Sequence, residues 1–469
     1  MKKLFKIYFN KSLLFTYIFG IYFYLYSTYI NLDFAGYNFY LVGAFVFLII
    51  FVVNIISVYI FGLRKAGFAT LTILLPNLFF RNIVYNISHY LNLSNAPFCY
   101  FIIIVFFQIC ILLIIYKTKN ELKTSTRYLT VLFLCLSLFQ IYKFATVRKV
   151  KEVIYNSKKN SLDMTINNGE KLPDIYFIVL DAHTSANSLK QYWDYDESGF
   201  IDSLKKLGFF VADSSRSLTK ATRSSTASTF ELSRDSVFMK LSENNLIKII
   251  NENTVTSLLN KAEYTIYNLT PFYFNNIKPA YKFGWFYDQE TILEKFFSAS
   301  MFIFVIKHIE DINFYKTNLK ILEKIESISR TVKDNPKFVF AHIMLPHPPY
   351  NFDRDGNLFP WYRMYFSAYS SAGYLEQLIG SDKIYLEFIR KIIKNTSGKS
   401  IIIIQADHGF RFLNNDIRGE EGYTILNTFY FPDKDYKLLS NNINRYNTFR
   451  VLIKKYFDKS FTLLSNSNN

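Results

Sequence analysis

The chain has 469 residues, of which 50% are hydrophobic and 19% aromatic, and its formal net charge is +17. A chain this basic could bind nucleic acid, but the sequence holds no basic repeat, zinc-finger spacing or RNP-like motif. Nucleic acid is therefore excluded as a partner, and the positive charge is explained by attraction to anionic lipid headgroups.

Apolar segments before residue 150 are predicted to cross a membrane, which takes about 20 apolar residues for each helix. There are five of them: residues 12–30, 38–61, 66–80, 97–116 and 128–147. Most flanking lysines and arginines fall on one side if all five segments cross, so the positive-inside rule places everything after residue 150 outside the cytoplasm. The expected location is the plasma (inner) membrane, with several spans and an extracytoplasmic catalytic domain.

The rest of the chain is predicted to form one large α/β domain, because strand-like and helix-like segments alternate along it. Residues 1–147 are assigned to the transmembrane helical domain, 148–170 to a polar linker, and 171–469 to the catalytic domain. Short helical patterns are predicted at residues 203–207, 254–259, 318–332 and 385–393.

Uninterrupted apolar segments in this domain have the character of central parallel strands, which helices cover on both faces. Ile175–Leu180 runs into Asp181, and residues 401–404, all isoleucine, lead to Asp407, His408 and Gly409. The carboxyl ends of parallel strands meet at one edge of a sheet, where active sites gather. Asp181, Asp407 and His408 are thus predicted to bind one divalent metal, with Mn²⁺ or Zn²⁺ favoured and Mg²⁺ or Ca²⁺ possible.

A hydroxyl-rich segment, residues 217–232, supplies candidate nucleophiles together with the cations Lys220 and Arg223. A hydroxyl at the start of a helix and in contact with a metal is activated by the ion, and the helix N-terminus stabilises an attached phosphate. The hydroxyls belong to Ser217, Thr219, Thr222, Ser224, Ser225, Thr226, Ser228 and Thr229. Composition does not choose among these eight, and a loop with ordinary helix N-caps is the alternative interpretation.

Three histidines are further candidates. Residues 338–345 form the third apolar strand, and Pro346, Pro348 and Pro349 hold His347 on an extended backbone that suits contact with a substrate oxygen. His342 lies within the strand and is either a site residue or a buried core histidine. His183, two residues after Asp181, is either a pocket residue or a bystander.

In this order, the motifs resemble the alkaline phosphatase superfamily, and in particular its membrane-anchored, sulfatase-like branch, which includes lipoteichoic acid synthases and phosphoethanolamine transferases. The resemblance rests on PDIYFIVLDAH, SLTKATRSSTAST, FVFAHIMLPHPPYNFDRDG and IIIIQADHG. It implies an α/β/α sandwich catalytic domain of the alkaline phosphatase/sulfatase type. The family pattern S-x-x-x-x-T-x-x-S selects Thr222, with Ser217 and Ser225 in the flanking places.

The resemblance also implies roles for the residues. Thr222 would be the nucleophile and a metal ligand beside Asp181, Asp407 and His408, and His347 would contact the substrate. Four further side chains are assigned to substrate binding: Lys220, Arg223, His342 and His183. Formylglycine sulfatases need a C/S-x-P-x-R motif, which is missing around Thr222.

The expected reaction is transfer of a phosphoglycerol or phosphoethanolamine type of group from a membrane lipid to an envelope glycan or lipid. A phosphothreonine intermediate would link the two halves of the reaction. Two alternatives remain open: a phosphate or sulfate ester hydrolase that uses the same site, and a non-catalytic membrane scaffold or sensor.

Overall fold

A computed structural model describes residues 10–30, 39–80, 83, 97–119, 122–146, 172–284, 300, 303–360, 370–411 and 420–465. The predicted linker, residues 148–170, lies outside this range. The chain divides into two compact units. One consists of Met1–Val150 and Gln289–Glu310, and the other of Lys151–Asp288 and Asp311–Asn469.

The first unit contains helices at the five positions where apolar segments predict them. They are α1 (Leu14–Ile30), α2 (Phe39–Phe61), α3 (Leu63–Leu78), α4 (Pro97–Lys117) and α5 (Lys123–Thr146). Buried aromatic and aliphatic side chains of α1, α2, α3 and α5, such as Phe19 and Phe133, pack together between these helices.

Only three helices of the described chain are long and apolar enough to cross a membrane: Val42–Phe61, Tyr100–Lys117 and Lys123–Thr146. The prediction of five spans is therefore not confirmed. α1 has 17 described residues, and α3 has 16 and contains Pro76.

The second unit is built on a seven-stranded mixed sheet with the order β2-β7-β6-β1-β5-β3-β4. The strands are β1 (Ile175–Leu180), β2 (Phe210–Val211), β3 (Thr265–Leu269), β4 (Tyr281–Lys282), β5 (Lys337–Ile343), β6 (Ile401–Ala406) and β7 (Asn427–Tyr430). β1 lies at the centre and pairs in parallel with β5 and β6. β3 pairs in parallel with β5, and β4 with β3. β7 runs antiparallel to β6 and to β2, so the antiparallel pairing is confined to one edge of the sheet.

Helices cover both faces of this sheet. The described helices of the unit are α6 (Ala186–Trp193), α7 (Ser198–Lys206), α8 (Thr222–Phe230), α9 (Glu243–Asn251), α10 (Thr254–Lys261), the part of α11 (Ile303–Ser329) from Asp311 onward, α12 (Ser371–Asn395) and α13 (Thr448–Leu452). Successive β1 side chains point to opposite faces and are all buried. Tyr176, Ile178 and Leu180 pack against α7, α11 and α12, whereas Ile175, Phe177 and Val179 pack against α8, α10 and α13.

The α/β/α arrangement expected from the sequence is thus present. The predicted helices at 203–207 and 254–259 correspond to α7 and α10, and those at 318–332 and 385–393 are parts of the longer helices α11 and α12. Strand β1 has the predicted bounds. β5 ends at Ile343, two residues earlier than predicted, and the chain then leaves the sheet before the proline segment.

Candidate active site

The register of the three central strands brings Asp181 and Asp407 to the same edge of the sheet. Leu180 is paired with Ile343 on one side and with Ala406 on the other, so the residue that follows each strand emerges at one level. Asp181 is 2% exposed and Asp407 is fully buried. Two carboxylates therefore leave the core side by side.

One oxygen of the Asp407 carboxylate is held by backbone donors. Asp407 Oδ1 accepts hydrogen bonds from the amides of Ala182 (3.1 Å) and His408 (2.9 Å). Ala182 has φ of 65°, a left-handed conformation that costs an alanine free energy and that turns its amide toward Asp407. These bonds fix the carboxylate and leave its second oxygen, Oδ2, without a partner in the described part of the chain.

The hydrogen bond of His408 determines which ring nitrogen carries the proton. His408 Nδ1 lies 2.7 Å from the carbonyl oxygen of Gly409, and because a carbonyl only accepts, Nδ1 is the donor. In the neutral ring the other nitrogen, Nε2, then presents a lone pair. Nε2 lies 3.5 Å from both Asp181 Oδ1 and Asp407 Oδ2.

These three atoms fit a divalent metal. Asp181 Oδ1, Asp407 Oδ2 and His408 Nε2 are buried and have no hydrogen-bond partner among the described residues. Three lone pairs that face one another repel unless a cation lies between them. Two ligands about 2.1 Å from one tetrahedral ion stand about 3.4 Å apart, close to the separations found here.

His342 belongs to this cluster and not to the apolar core. Its Nε2 lies 3.0 Å from Asp181 Oδ2, and the ligand atoms of Asp181, His342 and Asp407 lie within 4.8 Å of one another. Burial alone would lower the pKa of His342, but the hydrogen bond to Asp181 and its negative charge raise that pKa above the ordinary value. By donating to Oδ2, His342 orients the carboxylate so that Oδ1 faces Asp407 and His408.

The charge of Asp181 is stabilised by His342. Burial alone would raise the pKa of Asp181, yet the hydrogen bond from His342 helps to hold that pKa below its usual range. The carboxylate is therefore ionised at neutral pH, as a metal ligand must be.

A buried arginine that the sequence analysis missed supports the opposite side of the cluster. Arg445 is 1% exposed; its Nη1 donates to the carbonyl oxygen of Asp407 at 3.2 Å, and its Nε donates to Gln405 Oε1 at 3.4 Å. Its positive charge lies directly beneath the end of β6.

The hydroxyl-rich segment places Thr222 as the first residue of α8, half-buried at the helix N-terminus. Most other hydroxyls of the segment bond locally: Ser217 to Thr219, Thr219 to Ser224, Ser225 to Thr222, Ser228 to Ser233 and Thr229 to Ser225. Thr226 is 1% exposed, buried one turn further along the helix. Within the described chain, Thr222 is thus the accessible hydroxyl that no neighbour occupies.

His347 is connected to this helix by Arg411, a second residue that the sequence analysis missed. Arg411 Nη2 donates to His347 Nε2 at 3.0 Å, and Nη1 donates to the carbonyl oxygen of Lys220 at 2.9 Å. His347 Nδ1 in turn donates to the Pro348 carbonyl at 2.6 Å, so the ring is neutral. Burial first, and then Arg411 and His408, lower the pKa of His347 and keep the ring in that form.

The other predicted substrate contacts are distributed differently. Lys220 Nζ lies 4.7 Å from the centre of the Tyr423 ring, near the start of α8. Arg223 is exposed and paired with Glu243, so it does not point into the cluster. His183 is fully buried and bonds to Asp382 at 2.9 Å, in a separate group of side chains. We therefore do not retain Arg223 or His183 as substrate contacts.

Gly409 lies where another backbone segment approaches too closely for a side chain. A Cβ atom at this position would lie 1.9 Å from the carbonyl oxygen of Glu421 and 2.5 Å from that of Thr424. The loop that follows residue 420 passes directly over the glycine, and any side chain would displace it. The left-handed residue of the site is Ala182, not Gly409.

The protein-family model described as Sulfatase matches residues 173–432, which is more than half of the chain and includes Asp181, Thr222, His347 and Asp407. The chain belongs to the sulfatase family. The resemblance to the alkaline phosphatase superfamily is thereby confirmed, and the protein is an enzyme of that superfamily. This sulfatase-family domain has no cysteine after Cys135 and no C/S-x-P-x-R motif around Thr222.

No curated protein matches the chain. Among solved structures it is similar to the integral membrane lipooligosaccharide phosphoethanolamine transferase A of Neisseria meningitidis, with 13% identity, a TM-score of 0.40, and coverage of 97% of this chain and 96% of that one. The zinc complex of the periplasmic domain of Escherichia coli EptC shows 11% identity, a TM-score of 0.40, and coverage of 64% and 87%. The corresponding domain of phosphoethanolamine transferase EptC from Campylobacter jejuni shows 16% identity, a TM-score of 0.39, and coverage of 61% and 89%. None of these likenesses is close enough to bear on the function.

Proposed function

We propose that the protein is a membrane-bound, metal-dependent phosphotransferase that moves a phospho-group from a lipid to an envelope glycan or lipid. The transferred group is of the phosphoglycerol or phosphoethanolamine type. One observation carries the proposal. Thr222 is the accessible, unoccupied hydroxyl at the N-terminus of α8, in a sulfatase-family domain without the formylglycine motif.

In the first half of the reaction, Thr222 Oγ1 attacks the phosphorus of a lipid phosphodiester. The bond from phosphorus to the lipid alcohol breaks, a phosphothreonine diester forms, and the hydroxyl proton of Thr222 is transferred to the departing alkoxide. In the second half, an acceptor hydroxyl attacks the same phosphorus, and Thr222 leaves with the acceptor's proton. The sum is a transesterification in which nothing is oxidised or reduced.

The residues around Thr222 have separate tasks in this scheme. Asp181, Asp407 and His408 would hold one divalent metal, Mn²⁺ or Zn²⁺ by their mixed oxygen and nitrogen set, and Thr222 would join them. When bound, the metal lowers the pKa of a hydroxyl and neutralises phosphate charge. The amides at the N-terminus of α8 and the cation of Lys220 would receive the phosphate oxygens.

His347 is proposed to contact the substrate oxygen that gains or loses the proton. Its Nε2 carries a lone pair, so it can accept a proton from an attacking hydroxyl once Arg411 releases it. Arg411 would then bind the phosphate group, which a guanidinium recognises well. Arg411 would thus exchange His347 for the phosphate of the lipid donor. Binding of the donor would in this way free His347 to act as the base.

Several features support a lipid donor. The same chain contains three helices long and apolar enough to cross a membrane, and its net charge of +17 attracts anionic headgroups. The donor and acceptor would occupy the site in turn, because the covalent step separates the two halves. The kinetics should therefore be ping-pong.

The test uses the full-length protein in detergent, incubated with phosphatidylglycerol or phosphatidylethanolamine labelled in the acyl chain and without an acceptor. Diacylglycerol release and the intact mass of the protein are measured together. We expect a diacylglycerol burst and an adduct of phosphoglycerol or phosphoethanolamine mass on the peptide that contains Thr222.

The variants separate the outcomes. Thr222→Ala should lose both the burst and the adduct, Thr222→Ser should retain both at a lower rate, and Ser225→Ala should resemble the wild type because the Ser225 hydroxyl is already bonded to the Thr222 carbonyl. Metal-dependent cleavage of sulfate esters, or undiminished release by Thr222→Ala, would refute the proposal. Steady release of the free headgroup without an acceptor would instead identify a hydrolase.

A further inference from the structure

The structure contains a second buried group of metal-ligand side chains. It consists of His183 from the loop after β1, Glu197 at the N-cap of α7 and Asp382 of α12. Their exposed fractions are 0%, 2% and 5%. His183 Nε2 lies 2.9 Å from Asp382 Oδ1 and 3.6 Å from Glu197 Oε1.

The proton on His183 can be assigned from its other bond. His183 Nδ1 lies 3.0 Å from the Thr184 carbonyl oxygen, which only accepts, so Nδ1 is the donor and Nε2 faces the carboxylates. His408 has the same arrangement, with Nδ1 on a backbone carbonyl and Nε2 toward two carboxylates. Metal-binding histidines commonly donate their second nitrogen in this way.

The carboxylate oxygens of this group outnumber the hydrogen-bond donors around them. Both oxygens of Glu197 and Oδ2 of Asp382 have no hydrogen-bond partner among the described residues, although they are buried. Two buried carboxylates beside a neutral imidazole leave two negative charges. An imidazolium would neutralise only one of them, and an uncompensated buried ion costs several kcal/mol.

We propose that His183, Glu197 and Asp382 form a second divalent-metal site, which binds Zn²⁺ or Mn²⁺ and is structural. The three residues offer one imidazole nitrogen and carboxylate oxygens from Glu197 and Asp382, a mixed nitrogen and oxygen set that suits Zn²⁺ or Mn²⁺. Because the ligands are buried, no position is open to a substrate, as is typical of structural sites. The ion would fasten the loop that carries Asp181 to α12.

The competing explanation is a shared proton. Burial, and then the charge of Asp382, raise the pKa of Glu197 well above its ordinary value, so a neutral Glu197 could donate to Asp382. Glu197→Gln separates the two explanations. The amide of a glutamine donates a hydrogen bond as the protonated acid does, but it is a poor ligand and removes one of the charges that would hold a cation.

The experiment measures metal content by mass spectrometry of the tag-free, full-length protein after loading with Zn²⁺ or Mn²⁺ and desalting. We expect about two equivalents in the wild type and about one in Asp407→Asn, which disables only the first site. Glu197→Gln should also bind about one, and the double variant none. Folding of each variant is checked by its thermal transition, and Asp382→Asn replaces Glu197→Gln if the latter does not fold.

The decisive sample is Asp407→Asn, because its second site is unchanged. If that variant binds no metal after loading, the proposal is wrong. The proposal is also wrong if Glu197→Gln binds as much metal as the wild type, since this is the result for a shared proton. Neither measurement depends on turnover, so failure here is distinct from failure of the proposed reaction.

Discussion

Replacing Asp407 with asparagine should reverse the order of stability between metal-free and metal-loaded protein. In the metal-free wild type, Asp407 Oδ2 lies 3.5 Å from His408 Nε2 and has no hydrogen-bond partner among the described residues. An asparagine retains Oδ1 for the amides of Ala182 and His408, and its Nδ2 can donate to the His408 lone pair. Asp407→Asn thus turns an unsatisfied cluster into a hydrogen-bonded one.

The magnitude follows from two contributions. A buried polar atom without a partner costs about 1–3 kcal/mol, and the new hydrogen bond contributes about 0.5–1.5 kcal/mol. In EDTA we therefore expect the variant to be at least about 1 kcal/mol more stable, or about 2–4 °C higher in Tm for a domain of this size. With metal at 1,000 times its Kd, the wild type alone gains about 4.1 kcal/mol at this site, so the order reverses if the advantage of the variant in EDTA is smaller than this gain.

The assay is thermal unfolding of the full-length protein in detergent, with EDTA and then with added Mn²⁺ or Zn²⁺. Any second metal site affects both proteins equally and cancels in their difference. Asp353→Asn is the matched control, since Asp353 Oδ1 also accepts two backbone hydrogen bonds, from Asp355 and Asn357, but outside the cluster. The argument would be refuted if Asp407→Asn melts below the wild type in EDTA. It would also be refuted if added metal raises the Tm of Asp407→Asn as much as that of the wild type.

Further substitutions test the surroundings of the cluster. Gly409→Ala would place a Cβ 1.9 Å from a carbonyl oxygen; we expect a loss of at least about 1–3 kcal/mol in unfolding free energy, measured by thermal denaturation. Arg445→Met removes the charged donor to the Asp407 carbonyl and should cost about 1.5–3 kcal/mol in the same assay, and an unchanged Tm would contradict that role. Arg411→Lys cannot bond to both of its partners at once, so kcat/KM for the lipid donor should fall while Tm stays constant.

Much of the catalytic unit could be predicted because its central strands are long apolar runs. β1 has the predicted bounds, and the isoleucine run of β6 is followed by Asp407 where expected. Once both segments are recognised as parallel neighbours, Asp181 and Asp407 must emerge at one edge. The proximity of these two carboxylates could therefore be predicted without knowing the structure of the loops.

The remaining features depend on tertiary structure. His342 is opposite Val179 in the sheet, and only this register places it beside Asp181. Arg445 reaches β6 from a turn 38 residues further along the chain, a contact that no local pattern encodes. His183 was expected near Asp181, but the left-handed Ala182 between them turns the chain and directs the ring toward Asp382.

For the apolar helices of the first unit, the sequence predicted the positions better than the lengths. Apolar composition located all five helices, since uncharged stretches are rare elsewhere in the chain. Their lengths were harder to predict, because composition does not reveal where a helix begins. α3, with 16 residues and an internal proline, is the clearest case.

The paired register of β1 and β6 also makes the metal cluster a measure of correct folding. A slip of one residue between these strands would turn Asp407 to the opposite face and separate it from Asp181. A sheet in which β1 and β6 are paired out of register therefore cannot bring Asp181 and Asp407 together. Tight metal binding would report that the centre of the sheet has reached its native alignment, and metal uptake could be used to time that step during refolding.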